Sequence, residues 1–193
     1  MRIALHTCCG PCLIEPLEAL QPEAAEVVAV FANPNIQSIE EYLRRREALL
    51  GYVGGLGVEV VELADPALAE QWAQQAGVWG VNRERRCRIC YRIRLTSVAK
   101  WAAEKGLDAF ATTLSVSPYQ DYPVICDEGW RAAKAAGVAF LDRDFRDRYA
   151  EVTRRSRDLG MYRQKYCGCS FSEVEAEQQR RKSAARRKRR GTA

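Results

Sequence analysis

An α/β fold, a parallel sheet of about five strands with helices on both faces, is what this sequence predicts, and three observations predict it. Short apolar runs alternate throughout with longer segments of helical periodicity. Hydrophobic residues make up 47% of the 193 positions, enough for one core of ordinary domain size. Turn-forming residues gather where the apolar runs end, which is where the loops at the carboxyl edge of a parallel sheet fall.

The strands are Met1 to His6 (MRIALH), Glu26 to Phe31 (EVVAVF), Val58 to Leu63, Ala109 to Leu114 and Val138 to Leu141. Each is a short run bounded by turn signals, suited to burial on both sides. Helical periodicity covers Leu13 to Leu20, Ser38 to Val53, Pro66 to Ala76, Arg85 to Lys105 and Asp121 to Ala136. Asp65 before Pro66 is an N-cap followed by proline at the first helical position, and Gly77 and Gly137 read as helix stops. Asn33-Pro34-Asn35 favours a shaped turn after the second strand. Beyond Asp144 the chain becomes more charged and is expected to finish as C-terminal helices, the last running from Ser172 into the tail. No internal repeat or linker divides the sequence, so one α/β domain over 1–177 and a basic tail over 178–193 are expected.

Formal net charge is +5, yet residues 178–193 (QQRRKSAARRKRRGTA) hold eight basic side chains and no acid, so the remainder carries −3. The tail alone makes the chain basic. Attraction for polyanions such as nucleic acid and plain solubilisation are its two readings. No apolar run has the length of a membrane span, and MRIALHT enters a strand pattern without a basic leader, so a cytoplasmic protein is expected.

In a reducing compartment eight cysteines do not form a disulfide framework, and their grouping carries the chemistry. They fall as Cys8, Cys9 and Cys12; Cys87 and Cys90; Cys126 alone; and Cys167 with Cys169. His6 is the single histidine, so any metal is held mainly by thiolates. CGPC at 9–12 spells the thioredoxin dithiol, but that fold places an extra strand and helix before it, and here seven residues precede Cys8. Cys87 and Cys90 lie one turn apart on a helix and can face one ion or cluster. Combined with CCxxC at the end of the first strand, they suit a structural zinc or an iron–sulfur cluster. The adjacent pair Cys8–Cys9 favours a larger cluster or two metals, because neighbouring side chains are expected to diverge. Cys167 and Cys169 flank a glycine and read equally as a redox pair, as thiols on a turn, or as further ligands. Cys126 reads as core. His6 reads either as a ring hydrogen-bonded to backbone or as a supporting or proton-donating residue. The six arginines of NRERRCRICYRIR form a solvated helix face or a phosphate-binding mouth.

HTCCGPC, FANPNI with EYLRR downstream, RCRICYRIRL, FATTLSVSP and YRQKYCGCSFS together resemble the cobalamin-independent epoxyqueuosine reductase family, in the same order from about residue 5 to about residue 172. The resemblance implies a fold like that of the adenine-nucleotide alpha-hydrolase superfamily, with HTCCGPC in place of the pyrophosphate loop. It implies a cytosolic enzyme acting on epoxyqueuosine at the wobble position of tRNA, without cobalamin. It further implies Cys8, Cys9, Cys87 and Cys90 as ligands of a 4Fe-4S cluster, Cys12 on an adjacent iron ion, and Cys167 with Cys169 as a redox-active disulfide. The family pattern leads to a lysine where this chain has Gln120.

Removing an epoxide oxygen takes two electrons and two protons, which calls for a reductant and proton donors. His6, Tyr119 and Asp121 are the expected donors, and an unidentified electron donor is an expected partner. Two rivals remain at this level: a zinc-stabilised tRNA-binding module without catalysis, and a thiol-disulfide oxidoreductase acting on proteins.

Overall fold

The structure, a computed structural model, describes residues 1–190, with side chains through residue 186. Five parallel strands form one sheet: β1 (Arg2–His6), β2 (Glu26–Phe31), β3 (Val60–Glu62), β4 (Ala109–Thr112) and β5 (Ala139–Phe140), in the order β3-β2-β1-β4-β5. The helices are α1 (Gly10–Leu20), α2 (Ile39–Val53), α3 (Pro66–Gln75), α4 (Arg83–Glu104), α5 (Tyr122–Ala136), α6 (Tyr149–Asp158) and α7 (Ser170–Arg190). Among the described residues no helix is long and apolar enough to cross a membrane.

Strand alternation sorts the core into two layers. Ile3 and Leu5 of β1 join Val27, Ala29 and Phe31 of β2 beneath Leu13 and Leu17 of α1 and Leu49 and Val53 of α2. Ala4, Val28, Val30 and Phe110 point the other way, into Leu95, Val98 and Ala102 of α4 and Ile125 and Ala132 of α5. Helices therefore cover both faces, and β1 is central. The strand order reverses beside it, so the crevice beyond its carboxyl end is the place where such sheets bind ligands. Gly10 lets α1 enter that crevice closely: a Cβ there would lie 2.6 Å from the Ala48 carbonyl and 2.8 Å from Met161 Cε.

Several boundaries differ from expectation for local reasons. α1 starts at Gly10 rather than Leu13 because Pro11 occupies its first turn, where the missing N–H costs nothing. β4 stops at Thr112, whose Oγ1 accepts from the Leu114 N–H at 3.1 Å and turns the chain into a short 3-10 segment, Thr113–Val116. α3 closes at Gln75, and Gly77 opens a second such turn, Gly77–Trp79, while Gly137 does end α5. Asp65 caps α3, Ser38 caps α2 and Asp121 caps α5 through their side chains. Cys126, expected in the core, is half-buried on α5 beside Tyr122. α7 runs without a break through residues 177 and 178; of the tail, residues 191–193 lie outside the described residues.

The α4–α5 packing is clamped by Glu128, fully buried, which accepts from Arg92 Nε at 2.8 Å and from Arg88 Nη1 at 2.9 Å. Burial pushes the Glu128 carboxyl up, but the hydrogen bonds from Arg92 and Arg88 outweigh it and hold the pKa below its ordinary value. A carboxyl lowered in this way stabilises the fold above its unfolded pKa and loses that contribution as pH falls through the folded value. Glu128→Gln is therefore expected to cost about 1–2 kcal/mol at neutral pH, limited by the half-exposed guanidiniums. The difference from wild type should shrink as unfolding by urea is repeated down to about pH 3. A constant difference would show that charge is not what Glu128 contributes.

Candidate metal centre and thiol cavity

β1 delivers its carboxyl end straight into the cysteines. His6 and Thr7 are fully buried, Cys8 follows, Cys9 is the N-cap of α1, and Cys12 lies in the first turn. The three sulfurs lie within 4.8 Å of one another, and Cys8 Sγ is 3.7 Å from Cys9 Sγ. Adjacent side chains were expected to diverge. They converge because Cys9 is extended, at φ −176° and ψ 166°, where strand gives way to helix. Thr113, in the turn after β4, accepts from the Cys8 N–H at 3.1 Å and donates to Cys8 Sγ at 3.3 Å. Gln164 Nε2 donates to Cys9 Sγ at 3.0 Å.

These contacts divide the charge unevenly. Hydrogen bonds from Cys12 and Cys9, helped by Arg94 and Thr113, hold the Cys8 thiol well below its ordinary pKa despite burial. Burial pushes Cys9 up to about 12, and the hydrogen bonds to Cys8 and Cys9 push Cys12 up as well. Within the triad the hydrogen bonds thus favour the thiolate on Cys8 over its two neighbours, beside a helix N-terminus that favours negative charge.

Four of the other five thiols meet at a second place. Cys87 and Cys90 of α4, with Cys167 and Cys169 of the loop entering α7, line a cavity of about 40 Å³ together with Tyr91 and Gln120. Burial raises the Cys87 thiol, and raises Cys90 to about 12. All eight cysteines are free thiols. Cys87 packs against the same large buried cluster that holds Cys8, Cys9 and Cys12, but among the described residues Cys87 and Cys90 do not join those three in a group of ligand atoms within 4.8 Å. Among the described residues the group of three potential ligand atoms that could hold one metal ion is Cys8, Cys9 and Cys12.

The asparagine turn and a buried arginine hold the cavity's far wall. Asn33 Nδ2 donates to the Thr7 carbonyl at 2.9 Å, and Asn35 Nδ2 donates to the Cys167 carbonyl at 3.3 Å. Arg45 donates to the carbonyls of Cys167 and Tyr166, each at 2.9 Å, while its Nε is paired with Glu41 at 2.7 Å. Gly168 adopts φ +131°, and a Cβ there would come within 2.9 Å of both Asn35 Nδ2 and Ile36 Cγ1. Glycine between the two cysteines is thus required by backbone and by space.

Arg45, Arg86 and Arg94 are each at most 2% exposed. The sequence reading as a solvated or phosphate-facing arginine run is corrected for Arg86 and Arg94. Arg94 Nη2 donates to Asn33 Oδ1 at 2.6 Å, but its Nε and Nη1 have no partner, and Arg86 Nε has none. The potential anions around Arg94 are the thiols of Cys90, Cys167 and Cys8. A buried guanidinium with two unsatisfied nitrogens is costly unless an anion sits beside it. Thiolate donors from two loops with surplus buried positive charge fit an anionic, thiolate-held metal cluster.

The expected proton donors are placed differently from one another. His6 Nε2 donates to the Ala32 carbonyl at 3.2 Å, which makes Nδ1 the acceptor from Thr112 Oγ1 at 2.8 Å. Burial and the Arg94 charge lower its pKa to about 3, so the ring stays neutral and is spent on joining three strand ends. Tyr119 is 69% exposed, with its ring against Tyr149. Asp121 is exposed and occupied as the α5 cap. The phenol lining the cavity belongs to Tyr91, a residue within RCRICYRIRL that the sequence reading passed over. Its Oη donates to Gln120 Oε1 at 2.7 Å, and Gln120 Nε2 donates to Cys167 Sγ at 3.6 Å. Gln120 thus joins the cavity at the position where lysine was expected.

Comparison with known proteins identifies the family. The family model described as epoxyqueuosine reductase QueH matches residues 3–175. The epoxyqueuosine reductase QueH of Dehalococcoides mccartyi is 32% identical over 174 residues, covering 90% of this chain and 93% of the relative. That of Thermotoga maritima is 32% identical over 178 residues, covering 90% and 91%, and that of Haemophilus influenzae is 32% identical over 178 residues, covering 89% and 71%. Matched over residues 3–175 and at 32% identity over nine-tenths of its length, the chain belongs to the epoxyqueuosine reductase QueH family of oxidoreductases.

Proposed function

We propose that the chain reduces epoxyqueuosine at the wobble position of tRNA to queuosine, using an iron–sulfur cluster held by thiolates from the first-strand loop and α4. The observation that carries the cofactor part is Arg94, buried, short of two hydrogen-bond partners and within electrostatic reach of both thiol groups. Cys8, Cys9, Cys87 and Cys90 are the proposed ligands of a 4Fe-4S cluster, and Cys12 the ligand of an adjacent iron. When bound, such a group supplies single electrons and a Lewis acid for oxygen; cobalamin has no part in this scheme.

The chain's own residues do the rest. Cys167 and Cys169, as a dithiol, hold two electrons and two protons, and their oxidation to a disulfide matches conversion of an epoxide to an alkene and water. Burial raises the Tyr91 phenol, so Tyr91 keeps its proton at neutral pH and, through Gln120, holds a line of hydrogen bonds to Cys167. Arg94 balances negative charge beneath the thiols. Residues 1–177 form the catalytic unit, and the basic segment 178–193 gives a salt-dependent hold on the tRNA phosphates. An external electron donor restores the dithiol, and free tRNA as substrate implies a cytoplasmic setting.

The test is anaerobic purification, iron and sulfide analysis, and nucleoside mass spectrometry on tRNA carrying epoxyqueuosine. Brown protein that converts the nucleoside is expected, with colour and conversion both lost in Cys87→Ser and Cys90→Ser. Colourless protein holding zinc alone and fully active would refute the cluster.

A further inference from the structure

One edge of the thiol cavity carries apolar surface that the proposed chemistry leaves unused. Between α3 and α4 the chain reads Gly77-Val78-Trp79-Gly80-Val81-Asn82, with Val78 71%, Trp79 37% and Val81 93% exposed. Isolated exposed apolar residues are ordinary, but a run of them beside a site marks a contact surface. The backbone beneath is fixed. Buried Arg86 donates to the Gly80 carbonyl, Phe171 packs against Gly80, and Asn82 Oδ1 caps α4 by accepting from the Arg85 N–H at 3.2 Å. Tyr119 is tied to the same edge, since Arg83 Nη2 donates to its carbonyl at 2.8 Å, and Arg83 itself lines the cavity. The exposed guanidinium of Arg85 lies 4.5 Å from the centroid of the Trp79 ring.

We propose that this rim is where unpaired bases flanking the modified nucleotide dock, with Trp79 and Arg85 as the stacking pair and Tyr119 as a second aromatic face. The proposal rests on the tRNA reading given above. The thiol cavity, at about 40 Å³, is far smaller than a nucleotide, so the neighbouring nucleotides have to be held outside it. Bases splayed from a loop stack on aromatic rings and guanidinium planes, and Arg83 and Arg85 place positive charge where their phosphates run. Among the described residues Val81 is left 93% exposed, and Trp79 keeps 37% of its surface open beneath Arg85.

The experiment measures affinity for an anticodon stem–loop RNA and for a fully paired duplex of equal length. Trp79→Ala is expected to weaken stem–loop binding about tenfold or more while leaving the duplex unchanged, and Trp79→Phe to restore most of the loss. Val81→Asp, at a fully solvated position that cannot disturb folding, is expected to weaken the stem–loop as well. Unchanged stem–loop affinity in both Trp79→Ala and Val81→Asp overturns the proposal and assigns the rim to a protein partner. Wild-type protein that shows this loop-specific pattern but converts no epoxyqueuosine would refute the reaction and leave the rim intact. Conversion with unaltered KM in both variants would refute the rim alone.

Discussion

Arg94→Met is expected to leave the metal-free protein within about 1 kcal/mol of wild type and to destabilise the iron-loaded protein by about 3–5 kcal/mol. The asymmetry follows from what surrounds the side chain. In the metal-free chain Arg94 has Asn33 as its hydrogen-bond partner, two orphan nitrogens, and near it the Cys8 thiol, whose pKa is held below its ordinary value. Exchanging a buried, half-satisfied cation for an apolar side chain of similar length removes a desolvation cost about as large as the attraction it loses. With an anionic cluster in place, the same exchange leaves buried negative charge without its counter-charge. Thermal or urea unfolding of both forms under anaerobic conditions measures the two numbers. Equal effects in the two forms would mean that Arg94 serves packing alone and that the strongest support for the cluster is gone.

The role of Arg94 also marks how far the sequence could be read. β1 and β2 follow directly from uninterrupted apolar runs, and the caps at Ser38, Asp65 and Asp121 from local side-chain chemistry, because nothing distant competes with them. The thiol groupings were visible as spacings, and the order of motifs pointed to the family. What stayed hidden depends on tertiary contact. A run of six arginines looks the same whether a guanidinium meets water or lies under a sheet, and only the packing of α4 against β1 and β4 buries Arg94. Cys8 and Cys9 looked divergent because the strand-to-helix turn that joins their sulfurs is set by how closely α1 approaches α2 at Gly10. Gln164 and Thr113 reach the sulfurs from 155 and 105 residues away in the chain, a distance no local pattern bridges. Tyr91 was within reach: a tyrosine one residue after a proposed ligand, on the same helix, is a candidate for the cavity wall.

Cys167→Ser and Cys169→Ser are expected to keep wild-type iron content and visible spectrum while steady-state conversion falls by about two orders of magnitude, the loss typical of a group acting in the chemical step. Both cysteines stand outside the close triad of Cys8, Cys9 and Cys12, on a loop held by Arg45 and by the glycine between them. Gln120 contacts Cys167 Sγ, and the Ser172 N–H donates to Cys169 Sγ at 3.4 Å, so each sulfur is oriented without a metal. A dithiol at this point delivers two electrons and two protons in one unit, the number that an epoxide needs to become an alkene and water. Serine preserves shape and hydrogen bonding but cannot be oxidised, which isolates the electron count from the fold. Iron analysis, absorbance and turnover on the same preparations separate the outcomes. Loss of iron would move these cysteines into the ligand set. Full turnover with iron intact would take the dithiol out of the electron path and leave reduction to the metal centre and its external donor.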